Sequence, residues 1–379
     1  MAAPPPAVLI ESMVEEILLR FPPDDPASLV RAALVCKPWW RLVAGRRFRR
    51  RFREFHRRPP VLGLLCNSMD KGHFEEDVVR FVPAASFPPT QRVHLNHRAI
   101  DARHGRVLLR CMIWDCDDLL NGEFVIWDPI THKEQVLPSL PRYPDRWSAA
   151  VVCAATASGT CDHLDCSHGP FLVVVVDTEA GKMFVHVYSS ETGRWSEQRV
   201  QRPNKPPHWL WPSVLVGNEL CFLLRRRTRI LKYNLLTREI CMMDLPSLSY
   251  KPDLLTSTDD GRLGFATVRK SRIYLWSRED ASGDNAGWTE SRVIKLESLL
   301  PVEAPLKSAS AAGFAAGVGI IFVRTKVGVF SIDLKSQLVR KMRDGGGQNI
   351  VPYMSFYTPV FRAAWTSTCE GLSTCASSA

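Results

Sequence analysis

"GEFVIWDPITHKEQVLPSLP", residues 122–141, reads as two short strands folded about a turn. The apolar run "FVIW" ends in an aromatic residue, Asp128 and Pro129 start a polar turn, and a second short run leads into Leu-Pro. The same order recurs in "MFVHVYSSETGRWSE" (183–197), in "TRILKYNLLTREICMMDLP" (228–246) and in "GVFSIDLKSQLVRKM" (328–342). It also recurs in "SRIYLWSRED" (271–280), whose partner strand "WTESRVIKL" follows at 288–296. Aligned on Trp127, Tyr188, Tyr233, Trp276 and Ile332, the repeats are spaced 61, 45, 43 and 56 residues apart. The same phase falls near Phe81, 46 residues earlier.

A repeat of roughly 40–50 residues built from short antiparallel strands predicts a β-propeller. A single four-stranded blade cannot bury both of its faces. Neighbouring blades cover each other, and closing the ring protects the two end blades. Segments between the repeats supply further strands, among them "SVLVGNELCFLLRR" (213–226), "GRLGFATVRK" (261–270) and "AAGFAAGVGIIFVRT" (311–325). The expectation is about six blades over residues 60–365, with an all-β sandwich as the alternative. Residues 366–379, small and polar, are expected to form a disordered tail.

Residues 9–58 have a different period. In "LIESMVEEILLRF" the apolar positions Met13, Val14, Ile17, Leu18 and Phe21 fall on one helical face. Ser12 and Glu15 have capping-box spacing, and Pro22-Pro23 ends the helix because neither offers an amide hydrogen. A second helix is predicted after Asp25 and Pro26, carrying Leu29, Val30, Ala33 and Leu34. A third carries Trp39, Leu42 and Val43 and ends at Gly45. The predicted architecture is α+β multidomain. A short flexible N-terminus (1–8) precedes a small all-α domain (9–58) and then the all-β domain.

"RRFRRRFREFHRR", residues 46–58, holds eight Arg against one Glu, so most of the formal net charge of +10 is local to this segment. A protein that binds polyanions over its whole surface would spread its charge. Phe48, Phe52 and Phe55 are spaced as one helical stripe. The segment therefore reads as a fourth helix that packs on Phe and keeps Arg in water. Use as an import signal is compatible with that helix. Nucleic-acid binding is not favoured, because no base-reading fold accompanies the basic run.

Eleven Cys without framework spacing, and an N-terminus "MAAPPPAVLI" that lacks a basic region and a long apolar core, point to a reducing compartment, nucleus or cytoplasm, with free thiols. The longest apolar run, "FLVVVV" (171–176), suits a buried strand and is too short to span a bilayer. "CDHLDCSH" (161–168) offers Cys161, His163, Cys166 and His168 as zinc-type ligands. Four ligands in eight residues crowd one tetrahedral site, so the segment reads as a polar inter-strand loop, and no metal or other cofactor is assigned. "RDGGGQ" (343–348) lacks the Lys-Ser/Thr of a phosphate loop, and no nucleophile elbow is present. Asp117-Asp118 and Asp259-Asp260 are adjacent acidic pairs of the kind found in turns. No catalytic residue is assigned.

The helical stretch "LIESMVEEILLRFPPDDPASLVRAALVCKPWWRLV" resembles the F-box. Leu9 sits at the family's opening Leu. Met13, Val14, Glu16, Ile17 and Leu18 match its first helix, and Arg20, Phe21 and Pro22 its Arg-Leu-Pro step. Leu29, Val30 and Leu34 match the second helix, and Val35, Cys36, Lys37 and Trp39 the Val-Cys-Lys-x-Trp signature. Ile10 replaces the family's opening Pro, and Trp40 stands where Arg is usual. The whole chain resembles plant, grass-type F-box proteins with a propeller-like associated domain. That resemblance implies a non-catalytic substrate receptor. Its F-box would bind a Skp-type adaptor, and through it a cullin–RING ubiquitin ligase. Its β domain would hold an unidentified target protein. Leu9, Met13, Val14, Ile17, Leu18, Phe21, Pro22, Leu29, Val30, Leu34, Val35 and Trp39 are the adaptor-binding candidates. The rival reading is a propeller scaffold whose F-box, altered at Ile10, no longer recruits a ligase.

Overall fold

The computed structural model describes residues 11–71, 75–84, 93–112, 123–141, 146–156, 158–179, 182–200, 213–224, 229–246, 252–279, 287–301, 306–344 and 350–357. Leu9, Ile10, the adjacent pair Asp117-Asp118 and both chain ends assigned as flexible or disordered lie outside them.

Among the described residues, twenty-four strands make six four-stranded antiparallel sheets, a six-bladed β-propeller. The first blade contains β1 (Val61–Lys71), β2 (Glu75–Pro83) and β3 (Val93–Leu95). The second contains β4 (His97–Arg103), β5 (Arg106–Cys111), β6 (Phe124–Trp127) and β7 (Glu134–Val136). The third contains β8 (Arg146–Cys153), β9 (Phe171–Glu179), β10 (Lys182–Ser189) and β11 (Arg194–Val200). The fourth contains β12 (Val214–Val216), β13 (Glu219–Leu223), β14 (Arg229–Asn234) and β15 (Ile240–Asp244). The fifth contains β16 (Leu254–Ser257), β17 (Leu263–Arg269), β18 (Arg272–Arg278) and β19 (Trp288–Lys295). The sixth contains β20 (Ser310–Ala315), β21 (Ile320–Thr325), β22 (Gly328–Asp333) and β23 (Val339–Asp344).

The missing strand of the first blade is β24 (Ile350–Met354), which pairs antiparallel with β1 and closes the ring. Ile350, Val351 and Tyr353 of β24 are buried, and the Tyr353 hydroxyl donates to the Gly105 carbonyl of the second blade at 3.2 Å.

The sequence repeat maps onto this geometry strand for strand. Phe81, Trp127, Tyr188, Tyr233, Trp276 and Ile332 all lie on the third strand of their blades. Each faces the second strand, in the pairs Phe81–Leu65, Trp127–Val107, Tyr188–Val173, Tyr233–Leu220, Trp276–Phe265 and Ile332–Ile321. The next residue often starts the turn. Asp128, Asn234 and Asp333 each accept amide hydrogens from the residues two and three positions on, an Asx turn that the short polar side chain makes without help from the rest of the fold. "WDP" is thus a strand-to-turn step. Asp259 and Asp260 sit in the β16–β17 turn, where Thr258 and Arg262 bind the Asp260 carboxylate.

Buried polar side chains join neighbouring blades. Asn67 on β1 donates to the Ala99 carbonyl at 2.9 Å and accepts from its amide at 2.8 Å. Asp101 on β4 accepts from the Val151 amide of the third blade at 2.9 Å. Asp253 accepts from Val268 in its own blade and from Ala311 in the sixth. All three joints involve residues at two strand irregularities, Ala99/Asp101 in β4 and Ala311/Gly313 in β20, which turn groups out of the regular ladder. Burial pushes the Asp101 carboxyl up, against the pull of Arg103 and of the Val151 and Ala102 amides. Replacing it leaves a buried amide and a guanidinium short of a partner. Asp101→Ala is therefore expected to lower unfolding free energy by about 2–4 kcal/mol. A urea midpoint that falls with an unchanged slope would show this, and an unmoved midpoint would refute it.

Among the described residues, four helices precede the ring: α1 (Glu11–Leu19), α2 (Pro26–Ala33), α3 (Lys37–Ala44) and α4 (Arg46–His56). Residues 11–56 belong to one compact unit and Arg57–Phe356 to another. Asp25 takes the N-cap of α2 with Pro26 beside it, and the Ser28 hydroxyl donates to its carboxylate, which lowers the Asp25 pKa. Two local expectations change. Ser12 lies inside α1, and Glu15 turns to Arg51 of α4 at 2.8 Å, because a buried carboxylate gains more from a guanidinium than from a cap. On α4, Phe48 and Phe52 are buried, but Phe55 is 52% exposed. His56 takes its place one step on, at the i+4 position from Phe52. Its ring meets Phe52 edge-on at 4.5 Å, and a ring nitrogen lies 2.9 Å from the Leu19 carbonyl that α1 leaves unpaired. Nor is every Arg of this helix in water. Arg53 is buried, and Arg51 bridges Glu15 and Glu16.

Candidate functional site

The apolar residues of α1 include two doublets, Met13-Val14 and Ile17-Leu18, with Leu19, also buried, after the second. Successive helical residues lie about 100° apart, so doublets make two stripes side by side. The fold uses one of them internally. Val14 and Leu18 are buried against the helical unit, while Met13 is 54% and Ile17 47% exposed. The end of α2 repeats the division. Ala33 is buried and Leu29 with it, whereas Leu34 and Val35 beyond the helix are 66% and 67% exposed. Val30, Phe21 and Trp39 are half-buried, and Pro22 is exposed.

Large apolar side chains left in water on so small a unit are the usual mark of a protein-binding surface. The eleven candidates described thus fall into two groups. Val14, Leu18 and Leu29 hold the helices together. Met13, Ile17, Leu34 and Val35 are available to a partner, with Phe21, Pro22, Val30 and Trp39 at their margins. Arg51, which sequence reading left among solvated charges, fixes α4 to α1 through Glu15 and Glu16.

A second cluster lies in the propeller, in the loop between β8 and β9. Cys161, His163 and Cys166 come together there, and Cys153 at the end of β8 joins them. His168 is exposed and stands apart. The four cysteines and histidines that converge are therefore not the four that "CDHLDCSH" suggests. All three cysteines are free thiols. Burial, reinforced by the nearness of the other thiols, pushes Cys166 up, and burial also raises Cys153. Burial lowers His163, and it holds the neighbouring His104 at about 3, so both imidazoles are neutral at pH 7. The His104 and His163 rings lie 4.4 Å apart. Among the described residues no helix is long and apolar enough to cross a membrane.

A family model described as "F-box protein AT5G49610-like, beta-propeller" matches residues 98–361, most of the ring. The chain belongs to that family. As an F-box propeller protein it has a plant relative, F-box protein At5g03970 of Arabidopsis thaliana, 24% identical over 276 residues. The match takes in 70% of this chain and 64% of the relative, so this F-box protein spans less than two thirds of that relative's length. Among solved structures, the periplasmic gluconolactonase PpgL of Pseudomonas aeruginosa aligns over 78% of this chain and 99% of its own, at 14% identity and a TM-score of 0.41. A protein from Lactobacillus plantarum aligns over 75% and 82%, at 13% and 0.42. Likenesses of that size carry nothing about the chemistry of this F-box protein.

Proposed function

We propose that this protein is the substrate receptor of a Skp–cullin–F-box ubiquitin ligase, working in the nucleus or cytoplasm. The four helices are its F-box and dock a Skp-type adaptor. The propeller holds a target protein while other subunits transfer ubiquitin, so the receptor itself performs no chemistry. The observation that carries this reading is the outward stripe of Met13 and Ile17 with Leu34 and Val35, on helices whose inward stripe is already satisfied. Binding energy at such surfaces concentrates in a few large apolar anchors. Family membership supports the same assignment.

The division of the doublets decides which substitutions test it. Leu18→Asp would place a charge in the helical core and unfold it. Ile17→Asp with Leu34→Asp alters only exposed positions. The full-length double variant is expected to keep its circular dichroism and lose adaptor affinity by about 700-fold, as removal of two anchors of about 2 kcal/mol each requires. Titration of purified adaptor by calorimetry reads the result. A folded wild-type chain that fails to bind, or a variant that binds as well as wild type, would overturn the proposal. The first of these outcomes would favour the scaffold reading and make Ile10→Pro the next variant.

A further inference from the structure

The loop of residues 154–170 spans the end of β8 and the start of β9, and its described residues hold two single-turn 3-10 segments, Ala154–Thr156 and Cys166–His168. It is too polar to carry a core of its own. At its base Cys153 Sγ, Cys161 Sγ, Cys166 Sγ and a ring nitrogen of His163 all lie within 4.8 Å of one another. Cys166 Sγ is 3.6 Å from His163 Nδ1. A tetrahedral zinc ion, with bonds near 2.3 Å to sulfur and 2.0–2.1 Å to nitrogen, spaces its ligand atoms roughly 3.5–3.8 Å apart. The cluster is within about 1 Å of that geometry, and one edge already has it. We propose that Cys153, Cys161, His163 and Cys166 bind one Zn2+ as a structural Cys3His site.

The surroundings fit a metal-thiolate centre. The His163 amide donates to Cys161 Sγ at 3.3 Å, a bond that stabilises a thiolate more than a thiol. His163 has φ +56°, a conformation a residue with a Cβ adopts at a cost, and such strain persists where the surroundings require that side chain in that place. Three thiolates and one Zn2+ leave a net charge of −1 in a partly buried place. Arg106 supplies the opposite charge. Its guanidinium is buried and within electrostatic reach of Cys166 and Cys153. It donates to the Gly169 carbonyl at the end of the loop, and its Nη1 has no hydrogen-bond partner among the described residues.

Ligation would also explain why the loop lies where it does. A Cβ built on Gly105, in the β4–β5 turn, would come within 3.0 Å of the Ser167 side chain, so the loop rests directly against the second blade. An ion at its base would add to the contact that the His104 and His163 rings already make between those surfaces. Cys153 removes the crowding that argues against "CDHLDCSH" alone. One ligand comes from the strand and three from the loop, in place of four from one short run.

The test uses untagged full-length protein, loaded with Zn2+ under reducing conditions, desalted and assayed for metal by mass spectrometry. One Zn2+ per chain is expected. Replacement by Co2+ should give thiolate-to-cobalt charge-transfer bands and the strong visible absorption of a tetrahedral site. Cys153→Ser should weaken zinc binding by about 100-fold or more, while His168→Ala keeps it. Should Cys153→Ser fail to fold, wild-type protein treated with a strong chelator is read instead. A lowered Tm and three newly reactive thiols are expected. Wild-type protein that retains no zinc, chelation that alters neither Tm nor thiol reactivity, or zinc that survives Cys153→Ser but leaves with His168→Ala would each overturn the assignment.

Discussion

A chain ending at Asp344 is expected to lose the unfolding transition of the β unit, while a chain ending at Tyr357 keeps it. The two differ in β24. That strand brings Ile350, Val351 and Tyr353 into the interior and supplies the inner hydrogen-bond ladder of the first blade. Burying three such side chains is worth about 1.5–3 kcal/mol each. Their sum is comparable with the entire stability of a typical domain, about 5–15 kcal/mol. The remaining three-stranded blade would also expose β1 as an open edge. Scanning calorimetry distinguishes the outcomes. A shorter chain that melts at the same temperature and with the same enthalpy would show that the ring does not depend on closure by β24.

The second large effect belongs to α4. Phe52→Ala should destabilise the helical unit by about 3–5 kcal/mol, since it empties a site packed between Phe48 and His56. Phe55→Ala should change stability by no more than about 0.5 kcal/mol, because that ring is largely in water. The pair separates two readings of "RRFRRRFREFHRR". A helix that merely displays Arg would tolerate both substitutions. A helix that closes the unit tolerates one. Equal effects in a chemical denaturation series on the full chain would contradict the arrangement described for His56.

Much of the ring is legible in the residues because its signal is local. An apolar or aromatic residue followed by Asp, Asn or Ser marks the end of a third strand, and the Asx turn that follows needs no distant partner. Ring closure is not legible in this way. Nothing about Ile350–Met354 states that its partner is Val61–Lys71 and not its neighbour β23. The helical region shows a similar limit. Periodicity finds the doublets of α1 but cannot say which member of each faces inward, because both stripes are equally apolar. The tertiary packing of α4 decides it. His56 escapes a purely hydrophobic count because it contributes both a ring face and a hydrogen bond to the Leu19 carbonyl. Cys153 escapes a motif search because its partners are recruited by a strand end. A cysteine closing the apolar run "WSAAVVC" just before a Cys/His-rich loop was the available signal.

Synthesis proceeds from the first blade toward the strand that completes it. At translation rates of about 5–20 residues per second, the roughly 290 residues between β1 and β24 take on the order of 15–60 s to make. Throughout that interval the first blade has three strands and an unpaired inner edge, while the blades after it can form in turn. The ribosome-bound chain is therefore an open arc, its inner edge exposed to any passing strand. Chaperone occupancy of nascent chains should be greatest over this interval and should fall once residues 350–354 leave the exit tunnel.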